Sequence, residues 1–387
     1  MHVISSLGND LIIDKLEGEG LVDESFVKSS QISLSQAIFL IIVALSITLH
    51  VEVVPELFHV AGRDAWVSVL LLLPLVILIW WAFIAVARLF LTRAPLASVN
   101  PRWLRWVLIV LVEVYIILSI IKSLKLWASF STIAFLPGAP PNLLALLLLM
   151  ACVWIARNGL YTVAVTIGFL VPFIFFFGIT NSLTTIPMKD YGLVLPIWEH
   201  GITPTIRGLL TLLPNFGDFF FILFIAQFIE NNTRLSFRPW LITNLVIFYI
   251  AIGVVIGLLA EFGPQEITHL RFPAFEGWRL VTLGPAFERI DFIAIFQWTT
   301  GLAGRIMFLL TIGSGIFGGK IMSQITIYLL SALILLGCLV PLNPAQMHQF
   351  SAFLGMYALF IQATITIVLL FVAMHLKKNA EGALEHA

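Results

Sequence analysis

Polar residues are scarce along this chain and fall in short breaks between long apolar runs. Ten runs approach or exceed the roughly 20 residues that a helix needs to cross a bilayer. They are 33–57, 65–89, 103–130, 142–157, 161–183, 205–229, 239–261, 285–316, 321–340 and 348–376. The pattern predicts an all-α membrane protein with ten transmembrane helices. Residues 1–32 precede the first run and are acidic through Asp10, Asp14, Glu17, Glu19, Asp23 and Glu24. They read as a soluble arm with one short helix around LIIDKL. Residues 33–376 make the membrane domain and 377–387 a C-terminal tail. The connections 184–204 and 262–284 are long enough to fold at the surface.

Two runs are interrupted. In LSITLHVEVVPELFHVAG, Leu45 to Gly62, the residues His50, Glu52, Pro55, Glu56 and His59 end the first run. In TPTIRGLLTLLPNFGDFFFILFIAQFI the sixth carries Pro214, Asn215, Gly217 and Asp218 near its middle. Proline removes a backbone donor and glycine accepts any backbone angle, so both segments are built to break a helix. Irregular backbone at that depth survives only where protein or a wet cavity covers it. The first and sixth of ten runs hold corresponding places in two five-helix halves, which points to inverted repeats with a binding site at their interface. Half-helix N-termini suit a carboxylate and half-helix C-termini suit an ammonium group, so an amino acid zwitterion matches both.

Composition agrees. The chain is 60% hydrophobic and 11% charged, with a mean hydropathy of +1.04. Soluble domains carry about 25% charge, so this chain must face lipid. Its formal net charge of zero offers no field for nucleic acid. Cys152 and Cys338 lie in apolar runs without metal-like spacing. The first thirty residues lack the basic and apolar regions of a cleavable signal. With the N-terminus placed in the cytoplasm, twelve lysines and arginines fall on the inner side, against Arg63, Lys189, Arg271 and Arg279 outside. The positive-inside rule then predicts that both termini are cytoplasmic, which an even number of spans requires.

Several side chains stand out at membrane depth. Asp218 follows Gly217 at the sixth-run break, where a carboxylate needs water, a cation or a ligand's ammonium. Glu113 and Tyr115 lie mid-run in the third span, two residues apart and so on different helix faces. Lys122 and Lys125, near its outer end, are expected to snorkel. Glu52 and Glu56 share a face if the segment past the first break is helical. His50 with Glu52 can bind an ammonium group, whereas Glu56 and His59 read as solvated. Glu276, Arg279, Glu288, Arg289 and Asp291 form a charged cluster suited to an outer ion-pair network. Trp298 can wall a pocket, and Arg305, late in the eighth run, is expected at the cytoplasmic interface. No G-x-S-x-G, H-E-x-x-H or phosphate loop is present, and the eight histidines are scattered, so neither an enzyme nor a metal centre is predicted.

Three patches carry a resemblance. RFPAFEGWRLVTLGPAFERIDFIAIFQW, Arg271 to Trp298, resembles the corresponding segment of spore germination receptor B subunits, members of the amino acid–polyamine–organocation transporter superfamily. VVPELFHVAGRDAWVSVLL, Val53 to Leu71, is similar to that family's stretch after the first broken helix, with its A-G-x-D-A-W ending. GITPTIRGLLTLLPNFGDFFFI, Gly201 to Ile222, is similar to the family's sixth span, with the acidic position falling on Asp218. The resemblance implies a LeuT-like 5+5 inverted repeat with helices 1 and 6 broken. It also implies the membrane subunit of a nutrient-germinant receptor, which binds a small polar molecule such as an amino acid and works with A- and C-type subunits in the spore inner membrane. No cofactor is implied. The rival reading is a proton- or sodium-coupled amino acid transporter. Candidates for the binding pocket are Thr48, His50, Tyr115, Asn215, Phe216, Gly217, Asp218 and Trp298; Glu52, Glu113, Glu288, Arg289 and Asp291 are assigned gating or structural roles. Thr48 and His50 occupy places where the family has glycines, so the family's ligand does not transfer.

Overall fold

The computed structural model describes residues 31–90, 95–230, 235–281, 290–316 and 320–385. Among them the chain is all helix, with one isolated parallel bridge between Ile32 and Ile229. The helices are α1 (Leu34–Ile47), α2 (Val54–Ala61), α3 (Ala65–Ala87), α4 (Arg102–Ala134), α5 (Pro141–Ala156), α6 (Leu160–Thr184), α7 (Thr203–Phe216) and α8 (Ile222–Ile225). After them come α9 (Phe237–Glu266), α10 (Pro273–Arg279), α11 (Phe292–Ile316), α12 (Lys320–Leu339) and α13 (Pro344–Glu385). Among the described residues nine helical segments are long and apolar enough to cross a membrane, and the 16-residue α5 is a tenth, shorter apolar helix. The bundle therefore has ten helical segments, with the first (α1 into α2) and the sixth (α7 into α8) interrupted. The acidic arm to residue 30 and its expected short helix lie outside the described residues. Ile32, placed at the end of that arm, is fully buried against the sixth segment, where its N–H donates to the Phe228 carbonyl at 2.8 Å.

Both interruptions are changes of helical pitch rather than unwound stretches. After α1, Thr48–Glu52 widen into one π turn, closed by the Val53 N–H on the Thr48 carbonyl at 2.9 Å. Thr48 bonds Leu45 through its N–H and, at 2.8 Å, through its hydroxyl, which leaves the Ala44 carbonyl without its usual helical partner. α2 then begins with Pro55 in its first turn, where a missing N–H costs nothing. In the sixth segment α7 tightens into a 3₁₀ turn over Gly217–Phe221 before α8. The carbonyls loosened there find partners on other helices. Gln362 Nε2 of α13 donates to Pro214 at 3.3 Å, and Trp80 Nε1 of α3 donates to Phe216 at 3.2 Å. Trp80 also stacks on Phe219, centroids 3.7 Å apart. Without water in the membrane each freed carbonyl needs such a partner, so the breaks are held from outside the helices that contain them.

α11 is the centre of the bundle and packs against α1, α4, α5, α6 and α12. The A-G-R-D-A-W stretch anchors the 184–204 loop: Asp64 Oδ1 accepts from the Trp198 N–H at 2.8 Å, and Arg63 pairs with Glu199. Gly62, at φ 54°, makes the turn that frees Asp64 to do so. In the 262–284 connection α9 bends at Gly263 and runs to Glu266, and α10 forms ahead of α11.

α3 and α7 meet at Gly208, where an added Cβ would overlap Ser68 Oγ and lie 2.9 Å from the Ala61 Cβ. Gly208→Ala is expected to cost about 1–3 kcal/mol of stability through overpacking. Gly315→Ala, in open space at the far end of α11, should be neutral. Thermal unfolding of the purified variants checks this, and equal melting temperatures would exclude a tight α3–α7 seam.

Candidate functional site

The centre of the bundle holds an ion pair. Asp218, in the 3₁₀ turn, and Arg305, at the middle of α11, are each 1% exposed. Arg305 Nη2 lies 2.8 Å from Asp218 Oδ2, and the Tyr115 hydroxyl donates to Asp218 Oδ1. Arg305 also donates to Ser119 Oγ at 2.7 Å and, through Nη1, to the Ala44 carbonyl freed by the π turn. One guanidinium thus ties the first, third, sixth and eighth segments together at the two breaks. This corrects two expectations. Arg305 is not at the cytoplasmic interface, because α11 starts at Phe292 rather than at 285, which moves residue 305 to mid-membrane. The partner that Asp218 needs at this depth comes from within the protein rather than from water or a ligand's ammonium, with Tyr115 and Arg305 each on one of its oxygens.

The third segment supplies a polar stripe. Tyr115, Ser119 and Lys122 are spaced four and three residues apart and so share one face of α4. Lys122 Nζ lies 3.3 Å from Glu52 Oε2, whose side chain is 1% exposed. Lys122 therefore pairs inward instead of snorkelling, since the π turn brings a carboxylate within its reach. Lys125 reaches across to the end of α12 and donates to the Cys338 carbonyl at 2.9 Å. Glu113 points to a different face, as its spacing from Tyr115 predicts. It packs against Gly313 of α11, and neither carboxyl oxygen has a hydrogen-bond partner among the described residues.

Two cavities flank the first break, and the candidate pocket residues divide between them. A cavity of about 350 Å³, the more polar of the two, is lined by Thr48, Tyr115, Ser119, Lys122, Asn215, Arg305 and the α13 residues around Gly355, with apolar side chains between them. Its wall also includes Glu56, whose Oε1 lies 3.7 Å from His348 Nδ1. Asn215 keeps its amide on the Thr211 carbonyl at 3.1 Å, so its remaining polar capacity is free. A second cavity, of about 430 Å³ and mostly apolar, takes His50 and Trp298. Phe216 lines neither; its ring is buried and its carbonyl serves Trp80. Gly217 sits against Gln362, whose amide a Cβ would overlap. Asp218 lies beneath the polar cavity, behind Tyr115 and Arg305.

The charged cluster of the last connection falls only partly within the described residues. Glu276 and Arg279 pair at 2.8 Å on the exposed face of α10. Asp291 is 6% exposed, one residue ahead of α11. Glu288 and Arg289 lie outside the described residues. No cluster of three or more potential metal-ligating His, Cys, Asp or Glu side chains occurs among the described residues. Sequence reasoning missed Arg305 and Lys122 as interior groups. The available signal was their spacing: Lys122 is seven residues from Tyr115, hence on its face.

Ten helical segments, the first and sixth broken around a buried polar centre, define an all-α membrane protein of LeuT-like layout. The chain belongs to the spore germination protein family, whose profile it matches over residues 31–349. Spore germination protein XB of Bacillus anthracis is 30% identical over 341 residues, covering 86% of this chain and 95% of that protein. Among solved structures, a single-site mutant of the Eremococcus coleocola manganese transporter aligns with 86% of this chain and 77% of its own, at 14% identity and a TM-score of 0.44. The same transporter in complex with an aromatic bis-isothiourea substituted compound aligns at a TM-score of 0.45, over 85% and 76% of the two chains.

Removing one partner of the central pair strands the other charge in the membrane. Arg305→Gln alone should cost about 3–5 kcal/mol, and the double variant Asp218→Asn/Arg305→Gln should recover most of it. Thermal unfolding of the single and double variants in detergent measures the coupling; strictly additive losses would show that the two side chains stabilise the bundle independently.

Proposed function

We propose that this germination-family membrane protein is the membrane subunit of a nutrient-germinant receptor. It binds a small zwitterion, an amino acid, in the polar cavity beside the helix breaks, and passes the binding event to A- and C-type partner subunits at the spore inner membrane. The observation that carries this reading is the cavity itself: about 350 Å³, at the first and sixth breaks, walled by opposite charges and neutral hydrogen-bonding groups. Lys122 and Glu56 stand on its walls, and Thr48, Tyr115 and Asn215 supply hydroxyl and amide contacts. Arg305 and Asp218 neutralise each other and fix the two breaks beneath it, so the ligand is read by the groups above them. A ligand that bridges the first and sixth segments shifts their relative position, and that shift is what a partner subunit would sense. Residues 1–32 and 377–387 are the segments we assign to the cytoplasmic side.

Purified protein should be thermally stabilised by one or a few members of a panel of the common L-amino acids, because a ligand that binds only the folded state raises its melting temperature. Thr48→Val and Asn215→Leu should each weaken that response about tenfold, the order expected for losing a hydrogen bond to a charged group. Stabilisation by no member of the panel would refute the amino acid reading. Gradient-driven accumulation of the stabilising amino acid in proteoliposomes would favour the coupled-transporter alternative over a pure sensor.

For orientation, His200→Cys and Asn158→Cys, both at exposed positions, can be labelled in a background with Cys152 and Cys338 replaced. A membrane-impermeant maleimide should reach position 200 in intact cells and position 158 only after permeabilisation, because the positive-inside count puts them on opposite faces. Labelling of both from one side excludes the assigned topology.

A further inference from the structure

Glu113 lies on α4 but takes no part in the junction that Tyr115 and Ser119 of the same helix build. It is 7% exposed, and both carboxyl oxygens are shut off from water and have no hydrogen-bond partner among the described residues. The basic groups of the central helices are committed elsewhere: Arg305 to Asp218, Lys122 to Glu52 and Lys125 to the end of α12. The elements packed on α4 are α5, α11, α12, α13 and the Leu96–Ser98 turn. Besides Arg305, their described titratable side chains are Cys152, Tyr328, Cys338, His348, Tyr357 and His375, and none of these hydrogen-bonds Glu113.

The carboxyl group fits a gap that α11 and α12 leave for it. Gly313 opens the gap: a Cβ built there would stand 2.9 Å from Glu113 Oε2, 3.3 Å from Oε1 and 3.0 Å from Leu330 Cδ1 of α12. Carboxyl, glycine and leucine thus close on one another, and no water or metal ion fits between them. Stranding an ionised carboxylate in such a place costs far more than stranding the neutral acid, whose loss is one unmade hydrogen bond. A dry carboxyl with neither donor nor cation beside it keeps its proton.

We propose that Glu113 is a proton-binding site, occupied while α4 is closed on α11 and α12 and emptied when that seam opens to water. On opening, the O–H bond breaks, its electron pair stays on the carboxylate and the proton passes to an entering water molecule; closing reverses the step. Tyr115 and Ser119, on another face of α4, hold Asp218 and Arg305, so a movement of α4 that frees the proton also pulls on the central junction. The site shares no residue with the polar cavity and does not rest on the amino acid reading.

The test uses full-length protein in phosphatidylcholine nanodiscs, without ligand, and infrared difference spectroscopy at neutral pH. Wild type minus Glu113→Gln should show the carbonyl stretch of an un-ionised carboxylic acid. No such band, with both proteins folded, overturns the proposal; if Glu113→Gln melts early, Glu113→Leu serves as the reference. Transfer into deuterium oxide should shift the band slowly, on the timescale of the slowest backbone amides of the bundle. A shift as fast as the exchange of exposed amides overturns the gating, because water then reaches the closed site. Gly313→Ala wedges the seam and should speed the shift at least about fivefold, the population change for a modest overpacking strain. An unchanged rate in folded Gly313→Ala overturns it as well. If Gly313→Ala melts early, the wild-type band and its deuterium shift still decide.

Discussion

The Asp218–Arg305 pair is the constraint on which the rest of this bundle depends. Each charge alone at mid-membrane costs at least about 2.5–3.5 kcal/mol, so neither residue tolerates the absence of the other. Once paired, the guanidinium has donors to spare, and it directs them to Ser119 and to the Ala44 carbonyl, while Tyr115 takes the second oxygen of Asp218. The result is a four-way junction in which two helix breaks are stabilised by side chains from two unbroken helices. A shift in any one of the four segments must disturb the others.

The breaks themselves follow from the membrane as a solvent. In water an interrupted helix can hand its loose carbonyls to the solvent; in lipid it cannot. Here the π turn and the 3₁₀ turn keep most backbone bonds and release only a few. Three released carbonyls each meet a donor from another helix: Arg305 at Ala44, Gln362 at Pro214 and Trp80 at Phe216. Gly217 is needed less for an unusual backbone angle than for room, because Gln362 must come close enough to reach Pro214.

The π turn also separates two chemistries. On one side Thr48 faces hydroxyl, amide and charged groups; on the other His50 faces an apolar cavity walled in part by aromatic rings. Threonine and histidine fill the two sides of the break.

Much of the architecture was legible in the order of residues. Ten apolar runs, two of them interrupted at corresponding places by Pro, Gly and acidic residues, were enough to define an all-α membrane bundle with broken first and sixth helices. Bilayer thickness and backbone hydrogen bonding act on each segment separately, so the pattern within a segment reveals them. The opposite facing of Glu113 and Tyr115 was legible for the same reason, since helical spacing is local. The partners were not. Arg305 for Asp218, Glu52 for Lys122, and the division of His50 and Trp298 from Thr48 and Asn215 depend on which helices lie side by side and on where α11 begins relative to its apolar run. Those contacts join residues far apart in the chain, and only the packed bundle decides them.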